Sequence, residues 1–154
     1  MLKHMFAALT ALMLSAPSLA AATERPHPAG LDDLIAHYAS INGIPARLVH
    51  RVIVRESGYN AGVVHLSFYG LMQITYPSAR SMGYSGKPEG LLDPAVNLTY
   101  AVPYLANAYK AAGGDETGAV RLYASGYYYE AKRKHLLGVM RTAASPSLAS
   151  NTTP

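Results

Sequence analysis

Cysteine and tryptophan are both absent from this chain of 154 residues, and one of its only two phenylalanines, Phe6, falls in the first few positions. Without cysteine there is no disulfide, no thiolate metal site, no cysteine nucleophile and no lipid attachment at a leader junction. Charged residues make up only 14% of the chain. No clustered basic face with aromatic partners occurs, so nucleic acid is not expected as a partner. No apolar run is long enough to cross a bilayer, so stable membrane insertion is not expected either. His37, His50, His65 and His135 are scattered, without an i, i+4 ligand pair or a His-Glu-x-x-His run. Neither a metal site nor a cofactor is therefore expected. The Gly-x-Ser-x-Gly signature of a serine hydrolase is missing as well.

What is present begins with a leader. Lys3 and His4 precede an uncharged apolar run from Met5 to Leu14, and small residues follow at Ser18-Leu19-Ala20 and Ala20-Ala21-Ala22. This pattern predicts a cleavable signal peptide over residues 1–22 and, in a Gram-negative cell, a periplasmic protein. Residues 23–30 read as an extended N-terminal leader, 31–142 as one small domain, and 143–154 as a small, polar tail expected to be disordered. Without Lys3 the balance is 12 Lys+Arg to 9 Asp+Glu. That mild excess suits an anionic polymer such as the cell wall. Twelve tyrosines carry nearly all the aromatic surface. Tyrosine suits a sugar-binding groove, and equally fills semi-buried positions in any small domain.

Helical periodicity dominates. Leu31–Ile41 reads as a short amphipathic helix, with Gly43 available as a left-handed stop and Pro45 opening the next helix, which runs to Glu56. Asn60–Tyr69 reads as a loop or small hairpin. Thr75 and Asp93 read as N-caps, Gly83 as a stop, and Pro103 as a position where the longest helix can kink. Asp115 caps a segment from Glu116 to Ser125, and a last helix is expected from about Tyr127 to Met140. The fold class is mainly α: a single small helical domain that has room for a substrate cleft, which periodicity alone does not establish.

Glu56 is the most informative residue. Leu48, Val49, Val52 and Ile53 recur at helical spacing, and Arg47, Arg51 and Arg55 form a separate i, i+4 stripe. Position 56 is seven residues after Val49 and four after Val52, which places it on the apolar stripe. Burial there raises a carboxyl's pKa, as a general acid requires. Spacing alone leaves open a glutamate swung into solvent or paired with Arg55 or Arg51.

Four segments occur in order: Glu56-Ser57-Gly58-Tyr59-Asn60, Gly70-Leu71-Met72-Gln73-Ile74, Leu92-Asp93-Pro94-Ala95-Val96-Asn97-Leu98 leading to Tyr104-Leu105, and Val120-Arg121-Leu122-Tyr123-Ala124-Ser125-Gly126. Together they resemble the catalytic domain of family 1 lytic transglycosylases, of the soluble lytic murein transglycosylase type, over about residues 31 to 138. The resemblance implies an α+β lysozyme-like fold. It also implies a lyase that cleaves the β-1,4 bond between N-acetylmuramic acid and N-acetylglucosamine in peptidoglycan glycan strands. Glu56 matches the family's sole catalytic acid/base, which protonates the glycosidic oxygen and then takes the proton of the muramoyl 6-hydroxyl, giving a 1,6-anhydro sugar. Ser57, Ser67, Gly70, Met72, Gln73, Tyr123 and Tyr127 are the substrate-binding positions it suggests.

The carboxylate inventory agrees, since an ordinary glycosidase needs two carboxylates flanking the bond. Asp32, Asp93 and Asp115 stand where helix caps are expected, and Glu24, Asp33, Glu89 and Glu116 lie in polar stretches or first turns. Glu130 alone could be a second acid, but Lys132 and Lys134 beside it suggest a surface ion pair. Three positions depart from the family pattern. Ala124 replaces the asparagine of Tyr-Asn-Ala-Gly, Ala101 stands where glycine is common, and the loop between Asn60 and Gly70 is short, which puts the match of Ser67 in question. A monomer is expected, with secretion or wall-assembly machinery as a candidate partner; the other readings are a lysozyme-type muramidase, in which water replaces the 6-hydroxyl, a wall-binding accessory of a secretion or conjugation apparatus, and an inactive glycan-binding module.

Overall fold

The computed structural model describes residues 28–146. The expected signal peptide, the leader through residue 27, and residues 147–154 of the expected tail lie outside the described residues. The order of elements is α1 (Leu31–Ile41), α2 (Ala46–Glu56), β1 (Val64–His65), β2 (Phe68–Tyr69), β3 (Ile74–Thr75), α3 (Tyr76–Ser81), α4 (Pro94–Ala111), α5 (Glu116–Ser125) and α6 (Tyr128–Arg133). Short 3-10 turns span Pro88–Leu92 and Leu137–Val139. The architecture is mostly helical with a small three-stranded antiparallel sheet in the order β1-β2-β3, as the α+β lysozyme-like class requires. The sheet register pairs Val64 with Tyr69 and Tyr69 with Ile74.

α4 is the central element, with α5, α1, α3 and the first 3-10 turn packed around it. Its inward positions Leu98, Ala101, Val102, Leu105 and Ala108 are fully buried. Ala101 therefore carries its methyl into the core. The expected caps are in place. Asp93 accepts from the Val96 N–H at 2.9 Å, Thr75 from Ser78 at 3.2 Å, and Asp115 from Gly118 at 2.6 Å. Each satisfies one donor that a helix start leaves unpaired. Asp32 does not cap: Gly30, at φ 83°, holds the N-cap of α1, and Asp32 lies in its first turn.

Two helices end at the expected glycines, Gly43 and Gly83, and α4 ends in the same way at Gly113. At Gly43, Gly83 and Gly113 the residue lies at positive φ and donates to the carbonyl three residues back, while the next N–H reaches five back. The same closure stops α6 at Arg133, short of the single helix expected to Met140. There His135, at φ 57°, donates to Lys132, and Leu136 donates to Ala131. A histidine in the left-handed position does what glycine usually does, so the stop has no glycine to mark it. Past Thr142 the chain continues against the body, with the Ala143 N–H donating to the Ser81 carbonyl at 2.8 Å and Arg141 Nη2 to Pro146 at 2.7 Å.

Candidate active site

α2 delivers Glu56. Leu48, Val49, Val52 and Ile53 are fully buried, so the apolar face of the helix is locked into the core and the rotation of its last turn is fixed. The Ser57 and Gly58 N–H groups both close on the Ile53 carbonyl at 3.0 Å, and Gly58 and Tyr59 take positive φ to turn the chain away. Glu56 is left at the helix end with its side chain 24% exposed. Burial raises its carboxyl above the usual carboxylate range, and Arg55, with Nε 3.5 Å from Oε1, partly opposes that shift. A carboxyl in this state holds its proton longer as pH rises and can donate it.

The Gly70–Gln73 segment lies behind Glu56, held by a residue that the sequence reading did not single out. Asn97 of α4 is fully buried. Its Oδ1 accepts from the Met72 N–H at 3.0 Å, and its Nδ2 donates to the Tyr69 and Leu91 carbonyls at 2.9 and 2.8 Å. A buried amide with both ends satisfied fixes geometry strongly, because each bond it would lose leaves a desolvated polar group. A signal for it was available, since Asn97 shares helical spacing with the buried Ala101, Leu105 and Ala108. Gly70, at φ 71°, passes so close to the Leu91 carbonyl and Asn97 that any Cβ would collide with them.

The expected site residues separate into two groups. Ser57 Oγ donates to the Leu71 carbonyl at 2.7 Å, and Gln73 Nε2 donates to Val63 and Gly70 at 3.0 and 2.9 Å. Met72 is fully buried and Gln73 nearly so. With Gly70, these side chains and backbones brace the wall of the site from behind. Tyr123 of α5 joins the wall to Glu56. Its hydroxyl donates to the Met72 carbonyl at 2.8 Å, and its own pKa is pushed well up by burial and then by the negative charge of Glu56. The Tyr104 ring stands edge-on to Tyr123 at 5.5 Å and lies 4.8 Å from the Tyr127 ring, whose hydroxyl accepts from Asn107. Tyr104 and Tyr127 also line a groove of about 530 Å³ with Pro77, Ser78, Met82 and Leu137. Ser67 is exposed on the turn between β1 and β2, and no hydrogen bond ties it to Glu56. Ala124 is exposed beside Tyr123 and offers no polar group.

The other described carboxylates are engaged elsewhere or exposed. Asp93 and Asp115 cap helices, Glu116 pairs with Arg47, and Asp32 lies 3.9 Å from His50. Asp33 and Glu89 are exposed in first turns. Glu130 is bound by Arg133 at 2.6 Å and Lys134 at 3.1 Å, with Arg133 taking the place expected for Lys132. Those hydrogen bonds lower its pKa to about 2. Among the described residues no cluster of three His, Asp or Glu could hold a metal, and no helix is long and apolar enough to cross a membrane.

A family model described as the transglycosylase SLT domain matches residues 33–136. No curated protein and no solved structure gives a significant match.

Proposed function

The chain belongs to the transglycosylase SLT domain family, whose substrate is peptidoglycan, and on that premise we propose that Glu56 is the single acid/base of a lytic transglycosylase. The observation that carries this reading is a half-buried carboxyl, raised by burial, while the other described carboxylates are engaged elsewhere or exposed. Glu56 would protonate the oxygen of the MurNAc-β-1,4-GlcNAc bond. As the carboxylate it would then accept the proton of the muramoyl 6-hydroxyl, which closes on C1 to give 1,6-anhydro-MurNAc. The nucleophile comes from the substrate, so no second protein carboxylate is needed.

The glycan would run past Tyr123 along the groove lined by Tyr104 and Tyr127, whose rings offer flat apolar faces to sugars. Ser57, Gly70, Met72 and Gln73 would serve binding indirectly by fixing the wall, and Ser67 would meet the substrate only at the exposed turn. A periplasmic location, reached through the leader at residues 1–22, belongs to the same proposal.

Sacculi incubated with the purified protein test it by mass spectrometry of the released fragments. Products one water lighter than hydrolytic muropeptides and lacking a reducing end are expected. Reducing muropeptides would mean a muramidase instead. Glu56→Gln should abolish release, a loss of about 10²–10⁴-fold for a general acid, and retained activity would remove Glu56 from the role.

A further inference from the structure

The three arginines of α2 share one face but end in different company. Arg47 pairs with Glu116, and Arg51 reaches Thr117 Oγ1 with both terminal nitrogens at 3.3 Å, so both are tied to the first turn of α5. Arg55, one turn on, has a side chain 57% exposed and places Nε 3.5 Å from Glu56 Oε1. No other cation pairs with Glu56 among the described residues, and no hydrogen bond reaches its carboxyl there. The contact is loose. It uses one nitrogen, at a distance beyond the 2.7–2.9 Å typical of charge-assisted hydrogen bonds. It also opposes catalysis, because a neighbouring guanidinium favours the carboxylate while the first step needs the acid.

Peptidoglycan supplies carboxylates of its own. They sit on the stem peptides and, where stems have been removed, on the lactyl groups of the muramic acid. A flexible, exposed guanidinium held by one long contact is available to such a group.

We propose that Arg55 is a substrate-responsive positioning residue: its guanidinium rests against Glu56 in the free protein and transfers to a substrate carboxylate on binding, leaving Glu56 free to hold its proton. This rests on the reading of Glu56 as the acid/base. Once Arg55 has moved, burial acts on Glu56 unopposed. The other titratable group that senses Glu56 is Tyr123 of α5, whose hydroxyl is engaged with Met72 and stays neutral. Arg55 thereby makes the protein respond to anionic, carboxylate-bearing glycan in preference to neutral glycan.

Three polymers test this with wild type, Arg55→Gln and Arg55→Lys: native sacculi, sacculi stripped of stems by an amidase so that only lactyl carboxylates remain, and sacculi whose carboxylates are amidated with carbodiimide and ammonia. Wild type should release anhydro products from native sacculi up to about fivefold faster than from the amidated polymer, the size of an exposed ion pair. Its alkaline activity limb should lie at lower pH on the amidated polymer. Arg55→Gln should show a ratio near one and the same, higher limb on both polymers. Arg55→Lys should retain part of the preference. The stripped polymer separates the sources: a rate like the amidated polymer assigns the stem carboxylates alone, and a rate like native sacculi means that a freed lactyl carboxylate engages Arg55 as well. An unchanged ratio and limb in Arg55→Gln would overturn the role of Arg55 while leaving that of Glu56 standing. Failure of wild type to form anhydro products, or full activity in Glu56→Gln, would instead take down the acid/base reading and this inference with it.

Discussion

Glu56 and Glu130 both lie on helices with a cation close by in sequence, yet the fold takes them in opposite directions. At the end of α2, Leu48, Val49, Val52 and Ile53 are buried while Val54 faces outward, and the half-buried Glu56 carboxyl has only the loosely placed Arg55 against it among the described residues. In α6 the neighbours of Glu130 are largely exposed, and Arg133 and Lys134, at i+3 and i+4, both reach its carboxylate. Desolvation wins at the first site and hydrogen bonding to cations at the second, so one carboxyl is raised and the other lowered to about 2. An adjacent arginine in the sequence therefore says little about a glutamate's chemistry. The face of the helix that carries it says more.

Paired variants break or confirm this contrast most directly. Glu56→Gln should cost the full general-acid factor of about 10²–10⁴ in release of glycan fragments, whereas Glu130→Gln should leave turnover unchanged. Comparable losses in both would mean that Glu130 takes part. Next in size is Asn97→Ala, which leaves the Met72 N–H and the Tyr69 and Leu91 carbonyls unpaired. A loss of about 2–4 kcal/mol in denaturant unfolding is expected, with activity falling because the wall behind Glu56 loosens while α6 is untouched.

The pH dependence of stability separates the two carboxyls by sign. Folding raises the affinity of Glu56 for its proton, so its contribution to stability is present below the ordinary carboxylate range and lost as pH rises through the raised value. Glu56→Gln should then melt higher than wild type at neutral pH, and the difference should vanish in acid. Glu130 behaves in reverse. Its ion pairs help above the unfolded value of about 4.5 and are lost as pH falls toward about 2, an effect that salt should weaken. Acid melting curves of Glu130→Gln against wild type check this. The smallest effect expected is at the stop of α6. His135→Gly relieves a left-handed conformation and should raise stability by up to about 1 kcal/mol in thermal unfolding.

The helices were legible wherever local chemistry decides them. Asp93, Asp115, Thr75 and the glycines at 43, 83 and 113 mark boundaries through bonds made within a few residues. Glu56 was legible because its face is set by the periodicity of α2. Harder to read were features made by contacts across the chain. Asn97 binds Met72 and Tyr69, which are 25 and 28 residues away, and Tyr123 binds Met72 across 51. The resemblance marked Met72 and Gln73 as residues beside the sugar, and the fold turns both inward because their backbone is pinned from behind by α4 and α5. The stop at His135 was missed for a local reason, since histidine rarely takes the place of glycine there.

The base of the β1–β2 hairpin is closed twice on one atom, because the Gly70 N–H and the Gln73 side-chain amide both donate to the Val63 carbonyl. The exposed turn at Leu66–Ser67 lies outside these bonds, whereas Tyr69 stays tied to Asn97 through its carbonyl. That turn is a tolerant splice point: a peptide inserted at Leu66–Ser67 should leave the double closure on Val63 in place.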